Sequence, residues 1–245
     1  MMHRLRALLK SNVIKTLRFN FHFFPWKTAL KLPVLCYGRV RFHSMKGSVE
    51  FAGPAYTGMV RIGVRKQYVD TAVAETHWIL NGKIVLAGQA TFFRGSYVLV
   101  AEGAELQLGG KGTIIGSNTK IFCFERITIG SDARITWECQ VYDTSFHYLE
   151  RPGEDTPIKP LTSPVHIGDR VWIGNRTTIS KGAVIPDDTV VASNSLVNRD
   201  FSDLAPFSMI AGVPAVYKAT GFHRVWDKKR ERELDQTFHY PRTKL

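Results

Sequence analysis

Eight histidines and three cysteines are the side chains of this 245-residue chain most suited to proton transfer, nucleophilic attack or metal ligation. His147 stands in "VYDTSFHYLE", Val141 to Glu150, with Asp143 four residues ahead of it. An imidazole titrates near neutral pH and can take a proton from a reacting oxygen. The same two residues also have a plainer use, in which the histidine hydrogen-bonds within a loop and the aspartate makes an Asx-type turn. The other seven histidines have no comparable setting, although His166 sits just before the loop that follows His147 returns. A catalytic zinc centre of the three-histidine kind needs a third imidazole among the residues from Leu86 to Val197, and none occurs there, so no metal is expected. Cys36, Cys123 and Cys139 are odd in number and lack metal-ligand spacing, which favours reduced thiols in a cytoplasm.

The elements that must hold His147 announce themselves by a repeat. In "HIGDRVWIGNRTTISKGAVIPDDTVVASNSLVNRD", His166 to Asp200, aliphatic residues recur every sixth position at Ile167, Ile173, Ile179, Ile185, Val191 and Val197. The fifth position of each hexad is small or β-branched: Val171, Thr177, Ala183, Thr189, Ser195. The same period runs upstream through Leu86, Phe92 and Val98, slips by two, and continues at Val100 and Leu106. It returns at Ile115, Ile121 and Ile127, slips again, and ends on Ile129, Ile135 and Val141. "HYLERPGEDTPIKPLTSP", with four prolines, breaks it and reads as a loop. A fixed short repeat is the mark of a solenoid in which each unit covers its neighbour's apolar face. Gly168, Gly174 and Gly182 are expected to supply the turns. Residues 34 to 80 show β-like runs between glycines but no clean period.

The stretch from Val165 to Lys218 resembles the C-terminal part of the hexapeptide-repeat acyltransferases. The resemblance covers roughly Leu86 to Lys218 and is closest from Val165 to Pro214. It implies an all-β fold, a left-handed parallel β-helix solenoid with an N-terminal α-helical or irregular segment and a short C-terminal helix. Three hexads make one coil in that fold, so Asn175 and Ser193, 18 residues apart, are expected to stack. "VYDTSFHYLE" is similar to the segment bearing the catalytic histidine of maltose, galactoside and polysaccharide O-acetyltransferases, which makes His147 the expected general base. Asp143 would orient its ring or hold the acceptor. Backbone N–H groups at Asn175 and Ser193 would hold the acyl carbonyl and pantetheine arm of acetyl-CoA, with Trp172 lining the cleft. "IAGVPAVYK" resembles the closing element near the nucleotide of coenzyme A, where Arg199 and Lys218 would meet phosphates. Here the chain departs from the family, since Val216 stands where a basic residue is usual. A homotrimer is expected, with each cleft between neighbouring prisms.

Net charge is +12, and no Asp or Glu precedes Glu50, whereas ten Lys and Arg do. Such a one-signed block suits a polyanionic or membrane-surface partner, or is simply a solvated face. Leu5, Leu8, Leu9, Val13 and Leu17 follow rough helical spacing and suggest an amphipathic helix. "FNFHFFPWKTALKLP" adds a dense aromatic group, read as the cap of a core or as a lipid contact. The expected organisation is a basic aromatic segment over 1–33, a β-helix domain over 34–217 with a loop excursion over 148–164, and a helical tail over 218–245. The function expected is transfer of acetyl from acetyl-CoA to a hydroxyl of a small or lipid-linked glycan, in the cytoplasm. Peripheral contact with the inner membrane through residues 1–46 is expected, and nucleic acid is not. The alternatives are a non-enzymatic β-helix scaffold and a serine or amino-sugar acyltransferase.

Overall fold

An aliphatic residue at every sixth position can be buried only if the chain turns after each short strand, because a strand that ran on would send alternate residues to opposite faces. The computed structural model describes residues 7–65, 73–153 and 158–240, and it turns in this way. Face A stacks β1 (Val34–Cys36), β4 (Val60–Val64), β7 (Ala90–Phe93), β10 (Thr113–Ile115), β13 (Arg134–Ile135), β16 (Trp172–Ile173), β19 (Val190–Val191) and β21 (Met209–Gly212), with β22 (Ala215–Ala219) at its end. Face B stacks β2 (Val40–Met45), β5 (Thr76–Leu80), β8 (Tyr97–Val100), β11 (Lys120–Cys123), β14 (Gln140–Tyr142), β17 (Thr178–Ile179) and β20 (Leu196–Val197). Face C stacks β3 (Ser48–Phe51), β6 (Lys83–Leu86), β9 (Glu105–Leu108), β12 (Arg126–Ile129), β15 (Val165–Ile167) and β18 (Val184–Ile185). The chain visits A, B and C in rotation with parallel pairing up each face, and among the described strands the terminal β21–β22 hairpin pairs antiparallel. The body is therefore a three-sided parallel β-helix.

The hexad residues line its interior. Ile167, Ile173, Ile179, Ile185 and Val197 are fully buried, as are Val171, Thr177, Ala183 and Thr189 from the fifth positions. The slips of two have a simple cause: where a face holds a four-residue strand, two residues point inward instead of one. Val98 and Val100 do so in β8, Leu106 and Leu108 in β9, and Ile127 and Ile129 in β12. From β16 to β20 each strand has two residues, and the hexads run without interruption.

The corners differ from expectation. Among the three glycines assigned to turns, Gly182 takes a left-handed φ of 75°, but Gly168 and Gly174 do not. The left-handed positions fall instead on Arg170, Arg176, Asp188 and Asn194. Gly168 and Gly174 are needed because successive coils touch there: a Cβ at Gly174 would lie 2.4 Å from the backbone N of Ser193. The left-handed residues lean on one another across coils, with Arg170 donating to both oxygens of Asp188 at 2.7 and 2.8 Å and Arg176 to Glu138 at 2.7 Å.

At the N-terminal end, α1 (Val13–Phe23) lies across the opening of the prism, followed by the single turn α2 (Trp26–Ala29). β1 is an edge strand, and side chains of α1 replace the missing neighbour. Buried Asn20 donates to the Val34 carbonyl at 2.7 Å and accepts from its N–H at 3.1 Å, while the Thr16 hydroxyl accepts from the Cys36 N–H at 3.0 Å. Phe19 plugs the core, its ring 5.3 Å from Phe42 and 6.0 Å from Trp78, and Phe24 meets Phe51 of face C at 4.9 Å. The helix thus buries Thr16, Phe19 and Asn20, and the expected seam is not the packed one: Leu9, Val13 and Leu17 are exposed, and Leu5 lies outside the described residues. The reason is that an edge strand needs hydrogen-bonding partners more than it needs aliphatic cover. At the other end α3 (Lys228–Thr237) is capped by the Asp227 carboxylate and buries no residue.

Replacing Ile179 by Ala opens a void against the coils above and below, and a loss of about 2–5 kcal/mol is expected. Urea unfolding followed by circular dichroism measures it.

Candidate active site

The loop carrying His147 leaves face B after β14 and returns to face C at β15. Its stem is a short ladder: Thr144 bridges Thr162, the Ser145 N–H donates to the Leu161 carbonyl at 2.9 Å, and the Ser163 N–H donates to the Asp143 carbonyl at 2.9 Å. Asp143 is fully buried beneath this stem. Its two carboxylate oxygens accept the backbone N–H groups of Phe124 and Glu125 at 2.7 and 2.8 Å, fastening the loop to the coil below. Burial pushes its carboxyl above the usual aspartate range, against the lowering effect of those same N–H groups.

Sequence reasoning missed the loop's other anchor. The Lys181 ammonium, from the next coil, donates to the Pro160 carbonyl at 2.7 Å, the Leu161 carbonyl at 3.1 Å and the Ser145 hydroxyl at 3.1 Å. Lysine satisfies three acceptors at once here, a use that "TISKGAV" does not reveal because nothing in the repeat marks that position. Phe146 is the second missed element. Its φ of 62° is rare for a bulky residue, and its ring is held between Phe124 (5.6 Å), Tyr142 (6.1 Å) and Phe122 (6.3 Å). The turn at Phe146 presents His147 to solvent at the mouth of a cavity of about 490 Å³ lined by Ser145, Leu149, Glu150, Arg151, Lys159 and Lys181. A second hollow of about 450 Å³, walled by Phe122, Gln140, Tyr142, Phe146 and Ser180, shares Ser145 and Lys181 with the first. The exposed imidazole lines the first hollow, and the neighbouring hollow adds room for a second substrate.

Asn175 and Ser193 stack as adjacent coils require, the Ser193 hydroxyl donating to the Asn175 side-chain oxygen at 2.7 Å. The Asn194 N–H donates to the Asn175 carbonyl at 3.0 Å. Both occupy the corner between faces A and B, whereas His147 belongs to the corner between B and C. The width of face B separates them within one chain. Trp172 projects from face A, 38% exposed, beside Arg134 and Val190 in register. Arg199 follows β20 with its guanidinium 4.8 Å over the Phe201 ring, while Lys218 is exposed on β22. The chain therefore does not gather Arg199 and Lys218 at one point. His166 points outward from face C.

One further hollow, of about 500 Å³ and bounded by Lys111, Arg134, Arg170 and Trp226, lies on the third corner, away from His147. Its arginines are already engaged, Arg170 with Asp188 and Arg134 with the Gly112 carbonyl. The three cysteines are buried and unpaired, and burial pushes the thiols of Cys36 and Cys139 up to about 12 and about 11, so they are poor nucleophiles at neutral pH.

No family model matches the chain. It is 30% identical over 142 residues to the putative lipopolysaccharide biosynthesis O-acetyl transferase WbbJ of Escherichia coli K12, covering 51% of this chain and 71% of that protein. It is 32% identical over 91 residues to the galactoside O-acetyltransferase of the same organism, covering 36% of this chain and 41% of that one. Among solved structures, the polySia-specific acetyltransferase NeuO overlaps 84% of this chain and 86% of its own at 16% identity, with a TM-score of 0.49. With three-sided coils, unbroken hexads and the match to WbbJ over most of that protein's length, the chain belongs to the hexapeptide-repeat O-acetyltransferases, enzymes built on the left-handed parallel β-helix.

Proposed function

We propose that the protein transfers the acetyl group of acetyl-CoA to a hydroxyl of a sugar in a glycan or lipid-linked glycan intermediate, with His147 as the general base. The observation that carries this reading is an exposed His147 lining a hollow that has a second hollow beside it, on a loop anchored by Asp143, Phe146 and Lys181. The acceptor hydroxyl gives its proton to the imidazole as its oxygen attacks the thioester carbonyl carbon. A C–O bond forms and the carbonyl oxygen gains the negative charge, which a backbone N–H at the Asn175–Ser193 corner stabilises by about 3 kcal/mol. Collapse of this tetrahedral species breaks the C–S bond, and the imidazolium returns its proton to the leaving CoA sulfur. Trp172 lines the pantetheine path, and Arg199 and Lys218 meet phosphates of coenzyme A. Asp143 acts as a positioning residue through the loop, since both its oxygens face backbone N–H groups.

The separation of His147 from Asn175 and Ser193 across face B supports a homotrimer in which one protomer's histidine faces its partner's donor corner. A saccharide acceptor is favoured by the two relatives, a putative lipopolysaccharide biosynthesis O-acetyl transferase and a galactoside O-acetyltransferase. The site of action is the cytoplasm, with residues 1–46 against the inner membrane. No described helix is long and apolar enough to cross one.

Calorimetry with acetyl-CoA alone is expected to show saturable binding, and its absence in folded protein would refute the reading. His147→Ala should lower kcat by about 10²–10⁴ with acetyl-CoA affinity unchanged. Asp143→Asn leaves one of two buried N–H groups facing an amide that cannot accept it, at a cost of about 1–3 kcal/mol in a denaturation experiment. Mixing is the test of the shared cleft. Co-expressed His147→Ala and Ser193→Trp chains should regain part of the activity that each lacks alone, and no regain would place the site within one chain.

A further inference from the structure

Helix α1 carries three distinct stripes, although a helix that only caps a core needs two. At about 100° per residue, Thr16, Phe19, Asn20 and Phe23 share the side packed onto the prism. Ile14, Leu17 and Phe21 lie toward the side away from it, and all three are exposed, Ile14 by 77%. Arg18 stands beside Ile14 on that outward side, and Lys15 and His22 lie on one flank between the two faces. The outward stripe continues onto α2, where Trp26, 68% exposed, packs its ring 4.9 Å from Phe21, and on to exposed Leu30. Monomeric surfaces scatter single apolar residues, but five large ones along one side, Ile14, Leu17, Phe21, Trp26 and Leu30, call for a partner.

The charge around the strip says which partner. Lys10, Lys15, Arg18, Lys27 and Lys31 surround it, and among the described residues none of the five sits in an ion pair. No carboxylate occurs in the chain before Glu50. A symmetric contact between two copies of this face would set five cations against five more, with no anions to offset them. An anionic bilayer takes the same pattern readily: aliphatic and aromatic side chains enter the headgroup boundary while lysine and arginine meet phosphates.

From these observations we infer that the outward face of α1 and α2 is a docking surface for anionic phospholipid membrane, and that it seats the solenoid end-on. The packed face of α1 touches all three sides of the prism, through β1, through Phe42 on face B and through the Phe24–Phe51 contact on face C. The opposite face must then point along the solenoid axis. Face B climbs from β2 through β5, β8 and β11 to β14, four strand spacings, before the chain reaches the His147 loop. At about 4.8 Å per spacing, that loop stands roughly 20 Å beyond β2, and farther still from the outward side of α1. The docking does not depend on the acyl-transfer reading. The stand-off does, and it selects an acceptor sugar several units away from its lipid anchor over one bonded directly to the lipid.

Vesicle sedimentation with the purified full chain tests the docking. Phosphatidylcholine vesicles with about a third phosphatidylglycerol are expected to pellet the protein, pure phosphatidylcholine to pellet about tenfold less, and 0.5 M salt to release it. Ile14→Ser with Phe21→Ser, and separately Arg18→Glu with Lys27→Glu, should each weaken binding about tenfold or more while acetyl-CoA affinity and the thermal melt stay as in the parent. Failure of the parent to pellet, or full retention of binding by both variants, overturns the proposal. A fall in solution mass for the serine variant, with vesicle binding unchanged, overturns it in favour of an interface between copies. Because acetyl-CoA binding is read on the same samples, loss of docking and loss of the acyltransferase reading remain distinguishable.

Discussion

One coil of this solenoid has no interior of its own. Three strands of two residues enclose a single layer of side chains, and each inward aliphatic is covered only when another coil sits above and below it. Every other feature depends on that stacking. It requires Gly174 to let Ser193 approach, it sets Arg170 against Asp188 and Arg176 against Glu138, and it brings Asn175 over Ser193. It also means that a side chain lost from one layer weakens two contacts.

A stack solves its sides and leaves its ends. At the N-terminal end the exposed edge of β1 would offer free N–H and C=O groups to any passing strand. Asn20 and Thr16 occupy those groups, and the aromatic side chains of Phe19 and Phe24 close the interior. The same helix must therefore turn its remaining face outward along the axis. Capping and orientation follow from one packing event.

The loop between β14 and β15 is the place where the repeat is given up. A coil that closed directly would leave no hollow at the corner. By spending the Asp143 carboxylate and the Lys181 ammonium on backbone groups, the fold holds an irregular excursion rigidly enough to aim one imidazole. The left-handed turn at Phe146 does the aiming, stabilised by three aromatic neighbours.

Periodicity alone determined the interior from Leu86 to Val197. The hexad residues Ile167, Ile173, Ile179, Ile185, Val191 and Val197 are buried because six-residue spacing and inward direction are the same fact in a three-sided coil, and the position of the loop followed from the prolines that interrupt it. What a local pattern cannot encode is which groups meet across 18 or more residues. Asp143 and Lys181 look like ordinary loop and surface residues until the next coil supplies their partners, and Gly168 and Gly174 look like turn formers until the approach of the neighbouring coil shows why a Cβ is excluded. The buried face of α1 was hidden for the same reason: hydrophobicity favours Val13 and Leu17, but the unpaired edge of β1 decided for Thr16 and Asn20, because an unmet backbone hydrogen bond costs more than an exposed leucine.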